Sequence, residues 1–149
     1  MKKTYFLARV LIIYLFFISS GFSAKSNYFN KGKIFFDEKK FEKSKIFFEK
    51  DIVFNPQSEK SYLYLAKIFN ENNNDQEQEM NLSNVLLLNP QNDEAIYMLT
   101  LLKIKQSNYN EAKELIKNFT LVCKSFCSKK AEMQKKFDKL IPENARDNN

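Results

Sequence analysis

Apolar residues along the chain fall in short groups three and four positions apart. Tyr62, Leu65, Ala66 and Phe69 follow the spacing i, i+3, i+4, i+7, and Ala112, Leu115, Ile116 and Phe119 do the same. That spacing gathers side chains on one face of a helix. No alternation of apolar and polar positions competes for a strand. The runs are punctuated at Pro56 and Pro90, which stand 34 residues apart, each inside an Asn-Pro-Gln triplet that closes an apolar stretch. An Asn-Pro step disfavours helical backbone at the Asn and removes an amide donor at the Pro, so it stops a helix once per period. Helix starts are also marked. Asn108 precedes Tyr109 and lies three places before Glu111, so its side chain can accept an orphan amide while the carboxylate reaches back. Asn92 is followed by Asp93 and Glu94, two negative charges at the positive end of a helix dipole. The pattern predicts six helices followed by one more, an all-α chain built from repeats.

Cutting the chain before Lys25, Glu59 and Asp93 aligns the repeats. The fourth position then carries Tyr28, Tyr62 and Ile96, and the eighth Gly32, Ala66 and Thr100. A small eighth residue lets the first helix of a pair approach the second closely. Phe41 and Tyr109 share the seventeenth position, and Ser44 and Ala112 the twentieth. The middle unit has Asp75 and Gln78 there, after the run Asn72, Asn73, Asn74, which predicts a looser, more solvated turn within that pair.

These offsets make the chain resemble the tetratricopeptide-repeat family over roughly residues 25–122. The resemblance implies a right-handed α-solenoid of about three antiparallel helix pairs (repeats about 25–58, 59–92 and 93–126) with a C-terminal capping helix over 128–141. The chain departs from the family at the twenty-seventh position, usually small, which holds Asp51, Val85 and Phe119, and at Lys124, where a third terminal proline would fall. The resemblance also implies a concave groove lined by the first helix of each pair. Its partner-binding positions would be Phe29, Lys33 and Phe36, then Leu63, Lys67 and Asn70, then Tyr97, Leu101 and Ile104. Such a surface is apolar with two lysines and suits an extended or helical segment carrying hydrophobic anchors and a carboxylate. The family's carboxylate-clamp pattern is absent, with Phe29 where the clamp has Lys and Lys33 where it has Asn.

The N-terminus is a separate object. Lys2, Lys3 and Arg9 precede an apolar run over 10–18, followed by small residues. This reads as a secretory signal peptide over 1–23, cleaved before Ala24, and places the domain (24–141, with a disordered tail over 142–149) in the periplasm or outside the cell. The alternative is an uncleaved segment anchoring the chain in the inner membrane, although the run is about half the roughly 20 residues a spanning helix needs. Its removal leaves 21 of the 24 basic residues against 18 acidic ones, about +3. With arginine only at Arg9 and Arg146 and the lysines interspersed with acids, the charge pattern describes solvated helix faces and not a nucleic-acid surface.

Chemistry is sparse. The chain has no histidine, which removes Ser-His and Cys-His nucleophile pairs, and two cysteines cannot complete a closed zinc site. Neighbouring acids such as Asp37 with Glu38 or Glu77 with Glu79 are flanked by Lys and Gln and read as solvated faces. No glycine-rich phosphate loop exists, since the glycines are Gly21 and Gly32. No cofactor and no catalysis are expected. Cys123 and Cys127 would form a disulfide in an oxidising compartment, but only across a helix break, because residues four apart on one helix keep their Cβ atoms about 5–6 Å apart and a disulfide wants about 3.8 Å. Ser128 could cap a new helix carrying Ala131, Met133, Phe137 and Leu140. The other reading is two reduced, partly buried thiols.

Two functions stay open. One is a protein-interaction adaptor or scaffold holding a partner polypeptide in its groove. The other is a structural accessory subunit of an envelope complex, its array completed by a partner or by its own copy.

Overall fold

The computed structural model describes residues 27–140. The signal segment with its cleavage site, and the tail after residue 140, lie outside the described residues. Six α-helices follow in antiparallel pairs: α1 (Tyr28–Asp37) with α2 (Phe41–Phe54), α3 (Glu59–Glu71) with α4 (Asp75–Leu88), and α5 (Asp93–Lys105) with α6 (Tyr109–Val122). A 3-10 turn (Cys127–Lys129) then leads into α7 (Lys130–Leu140), which packs on α5 and α6. Among the described residues there is no strand. Each pair also packs on the next through α2 with α3 and α4 with α5.

The turns inside the three pairs share one geometry. Lys39, Asn73 and Ser107, each one period apart, have φ of 58°, 53° and 60°. The flanking amides close the same two bonds each time: Lys40 N–H donates to the Phe35 carbonyl at 2.8 Å, Asn74 to Phe69 at 2.9 Å and Asn108 to Lys103 at 2.9 Å, while Lys39, Asn73 and Ser107 donate to Phe36, Asn70 and Ile104. This is a left-handed helix terminus that satisfies the last carbonyls. The residue completing it starts the next helix at once. Asn74 accepts from Glu77 N–H at 3.2 Å, as Asn108 accepts from Glu111 N–H at 3.4 Å. The asparagine run therefore does not loosen the middle turn, contrary to the sequence expectation: Asn73 takes the left-handed conformation and Asn74 is the cap.

The small eighth position has the predicted effect. Gly32, Ala66 and Thr100 are all buried, and Phe48 lies against the bare α-carbon of Gly32. The Ser44 hydroxyl donates to the Gly32 carbonyl at 2.8 Å across the same crossing, and Thr100 returns its hydroxyl to the Ile96 carbonyl at 2.8 Å. Three apolar clusters fill the seams. An aromatic one joins α1 to α3 around Phe48, Leu65, Ile68 and Phe69. A second joins α3, α4 and α5 around Ala66, Leu82 and Leu99. The third joins α5, α6 and α7 around Ile96, Phe119, Met133 and Phe137. Each fully buried large side chain contributes roughly 1.5–3 kcal/mol. Asp51, out of place at a small position, is buried and accepts from Ser58 Oγ at 2.6 Å and Ser61 Oγ at 2.7 Å, so its carboxylate is satisfied by the start of α3.

After α6 the chain breaks helical conformation at Cys123, whose ψ is 140°. Cys123 and Cys127 are joined by a disulfide across that break, with their Cα atoms 5.2 Å apart. Ser128 does not cap α7: it sits inside the 3-10 turn, and the α-helix begins at Lys130. Of the residues that helix carries, Met133 and Phe137 are buried and Ala131 is exposed.

Candidate functional site

The first helices of the pairs carry the nine groove positions, and the structure divides them into two unlike halves. On α1, and on α3 as far as Lys67, most of the positions are filled or paired by the protein's own side chains. Tyr64 is the cause: its ring meets Phe29 edge-on at 5.7 Å, Phe36 edge-on at 5.0 Å and the face of Phe48 at 5.1 Å. Phe29 and Phe36 are thus half-buried members of the seam between repeats. Leu63, 8% exposed, is packed into the α3–α4–α5 core, a correction to its expected place in the groove. Lys67 is paired with Glu94 at 2.8 Å and lies 4.8 Å from the centroid of Tyr64. Lys33 remains exposed but holds Asp37 at 2.7 Å, and that hydrogen bond raises its pKa above the ordinary 10.5.

On α5 and α7 the surface is open. Asn70 and Gln78 with Tyr97, Met98, Leu101, Leu102 and Lys105 line a cleft of about 240 Å³. A second cleft, of about 350 Å³, is lined by Leu101, Ile104, Lys105, Lys136 and Lys139. The two share Leu101 and Lys105, so they adjoin along α5. Of the nine expected residues, Asn70, Tyr97, Leu101 and Ile104 are brought together here, with Ile104 only 5% exposed as part of the floor.

The walls are electrostatically fixed. Lys105 pairs with Asp75 at 2.6 Å. Glu132 on α7 takes Lys129 at 2.9 Å, Lys136 at 3.0 Å and the Tyr97 hydroxyl at 3.1 Å. Those three partners, Lys129 first, hold its carboxyl down at about 2. Burial and then the Glu132 bond raise the Tyr97 phenol above its ordinary value. Phe126 lies 6.0 Å from the Tyr97 ring, and Phe126 is itself positioned by Asp93, which accepts the amides of Lys124, Ser125 and Phe126 at 2.7, 2.6 and 2.9 Å. Burial alone would push the Asp93 carboxyl up, but these amides outweigh it and lower it.

Tyr64, Lys105, Lys136, Lys139 and Glu132 were missed in the sequence. Lys105 stands one place beyond Ile104, the last groove position of its repeat, and α7 falls outside the repeat register, so no offset marks its lysines. The neighbouring acids do not work as pairs: Asp37 serves Lys33, Glu38 holds Lys40 at 2.7 Å, and Glu79 accepts from Lys103 at 2.6 Å and Gln106 at 3.0 Å. Among the described residues no group of three or more Cys, Asp or Glu could hold a metal ion. The geometry offers an apolar floor and a lysine rim, which is binding chemistry.

No protein-family model matches the chain, and no curated protein matches it. Solved structures do. The chain is similar to the TPR domain of Arabidopsis OM64, at a TM-score of 0.71 and 19% identity over 79% of this chain and 97% of that one. It is similar to the first TPR of Spaghetti (RPAP3), solved bound to the HSP90 peptide SRMEEVD, at 0.68 and 15% identity over 76% and 90% of the two chains. It is also similar to the second TPR domain of human RPAP3, solved in complex with the HSP70 peptide SGPTIEEVD, at 0.65 and 18% identity over 76% and 92%. In fold, this chain is similar to tetratricopeptide-repeat domains.

Proposed function

We propose that this chain is a non-catalytic adaptor or scaffold that holds a partner polypeptide along the α5–α7 half of its first-helix face. The observation that carries the reading is the pair of adjoining clefts around Leu101 and Lys105, apolar below and rimmed by Lys105, Lys136 and Lys139. Lys139 has no ion-pair partner among the described residues. An apolar side chain seated on Leu101 and Ile104, with a carboxylate reaching the rim, matches this surface. Two of the similar solved domains hold acidic peptides. The clamp residues expected for chaperone tails are missing at Phe29 and Lys33, and Phe29 is turned into the seam, so the ligand class is an apolar and acidic segment, not a chaperone tail. The periplasm is the proposed compartment, supported by the signal-like N-terminus and by a Cys123–Cys127 bond that oxidising compartments sustain.

Peptide-display selection against the full chain tests this. Enriched peptides should place an acidic residue near an apolar one, and Leu101→Glu and Lys139→Glu should each weaken them tenfold or more. Enrichment indifferent to both substitutions contradicts the groove.

The second reading, an accessory subunit whose array is extended by a partner, is favoured by the outer side of the first pair. There Ile34 is 57% exposed beside Phe35, which stacks on Phe47 at 5.3 Å. The mass of the purified chain in solution separates the two: a monomer that binds peptide supports the adaptor, and an obligate assembly supports the subunit.

A further inference from the structure

A row of apolar side chains lies on the other helices of the pairs. Val53, Leu87 and Leu121 stand one period apart on α2, α4 and α6 and are 75%, 80% and 78% exposed. Phe54 and Leu88 beside them are exposed as well. Single exposed apolar side chains are ordinary, but three at one register place an exposed apolar residue at the same end of each second helix. The row follows the edge where α2, α4 and α6 end. The chain also enters the domain there, because Tyr28 at the start of α1 stacks on Phe54 at 5.4 Å. Eight residues separate Asn27 from the apolar run over 10–18, a reach of at most roughly 30 Å.

The fringe of this edge is basic. Lys50 stands one turn before Val53 and Phe54, Lys117 one turn before Leu121, Lys60 in the first turn of α3 and Lys124 just past α6. Lys60 and Lys117 have no ion pair among the described residues. Of the acids nearby, Glu49 faces Lys45 at 3.9 Å. Glu59, which accepts from Asn89 and Asn92, and Asp93, which accepts three amides, keep their negative charge, so the four lysines outnumber the acids left without a cation. We propose that this edge docks on the surface of an anionic lipid bilayer, with Val53, Leu87 and Leu121 entering the interface and the lysines over the headgroups. Apolar area and attraction of lysines to anionic lipid act together in such binding. A second copy is disfavoured as occupant, because a two-fold contact would bring together two edges of the same net positive charge. Docked this way, the domain leaves the α5–α7 clefts open to a partner, and the proposal does not depend on that groove.

The chain contains no tryptophan, so a single indole can report insertion. In the full chain, Leu87→Trp should shift its emission to the blue and gain protection from aqueous iodide on adding vesicles of phosphatidylcholine and phosphatidylglycerol. Glu71→Trp, at the opposite end of α3, should do neither. Adding Val53→Asn and Leu121→Asn to Leu87→Trp should abolish the shift, and phosphatidylcholine alone should give a much smaller one. Because the run over 10–18 can tether the chain to vesicles by itself, local insertion is the readout and not sedimentation. Unchanged emission at position 87 with anionic vesicles overturns the proposal. So does a vesicle-independent shift accompanied by a doubled mass, which would assign the edge to a second copy.

Discussion

A Cβ built on Gly32 would stand 2.7 Å from Cε1 of Phe48, a buried ring at the centre of the first helix pair. The α1–α2 crossing is thus set by the absence of a side chain. Replacing glycine by alanine inside a helix ordinarily gains about 0.5–1 kcal/mol, but forcing a buried ring aside costs about 1–3 kcal/mol. Gly32→Ala should therefore destabilise the protein by about 1–2 kcal/mol, read as a lower denaturation midpoint at constant m. A gain in stability would show that Phe48 has room to move.

The three left-handed turn residues give a second test. A side chain in that conformation costs about 1–2 kcal/mol, less for asparagine. Lys39→Gly and Ser107→Gly should each stabilise by about 0.5–1 kcal/mol after the extra entropy of the unfolded glycine, and Asn73→Gly should be close to neutral. Equal effects at all three positions, followed by chemical denaturation, would count against the shared turn.

These turns also show what could be read in advance. The 34-residue punctuation, the small eighth positions and the caps at Asn92 and Asn108 are local signals, and the helices follow them. Lys39 and Ser107 carry no turn signature, so the common geometry was hidden, and the asparagine run was mistaken for slack. The groove was half legible. Spacing turns Phe29, Leu63 and Tyr97 to the same side of their helices, but whether such a residue meets a partner or the next repeat depends on contacts far along the chain. Tyr64 closes one half of the face and Glu132, 35 residues beyond Tyr97, shapes the other.

Asp51 is the third case. Its carboxylate accepts from two buried hydroxyls, so Asp51→Val, which copies Val85 of the next repeat, removes the acceptor that Ser58 and Ser61 share and leaves them the 3.0 Å bond to each other. A loss of about 2–3 kcal/mol is expected. Adding Ser58→Ala and Ser61→Ala to Asp51→Val should recover much of it, and the double-mutant coupling measures the network. Simple additivity would mean the three side chains act independently.

Lys103 carries a pH signature. It is buried between Glu79 at 2.6 Å and Glu111 at 3.0 Å. Burial pushes its ammonium down, but the two carboxylates outweigh this and raise it above 10.5, while the bonds from Lys103 and Gln106 hold Glu79 below 4.5. The raised lysine stabilises below its unfolded pKa and loses that contribution as pH climbs above 10.5. The depressed Glu79 stabilises above 4.5 and loses its contribution as pH falls below that value. The stability gap between wild type and Lys103→Met, about 1–2 kcal/mol at neutral pH, should therefore shrink at both extremes. A gap constant from pH 3 to pH 11, measured by urea denaturation, would remove the ion pair from the account.

The most direct test of the binding surface is an amide chemical-shift map of the full chain titrated with a peptide selected against it. Saturable shifts are expected at Asn70, Tyr97, Met98, Leu101, Lys105 and Lys139, with Phe29, Phe36 and Leu63 unmoved. Shifts centred on Phe29 and Tyr64, or saturable shifts confined to the edge bearing Val53, Leu87 and Leu121, would contradict it.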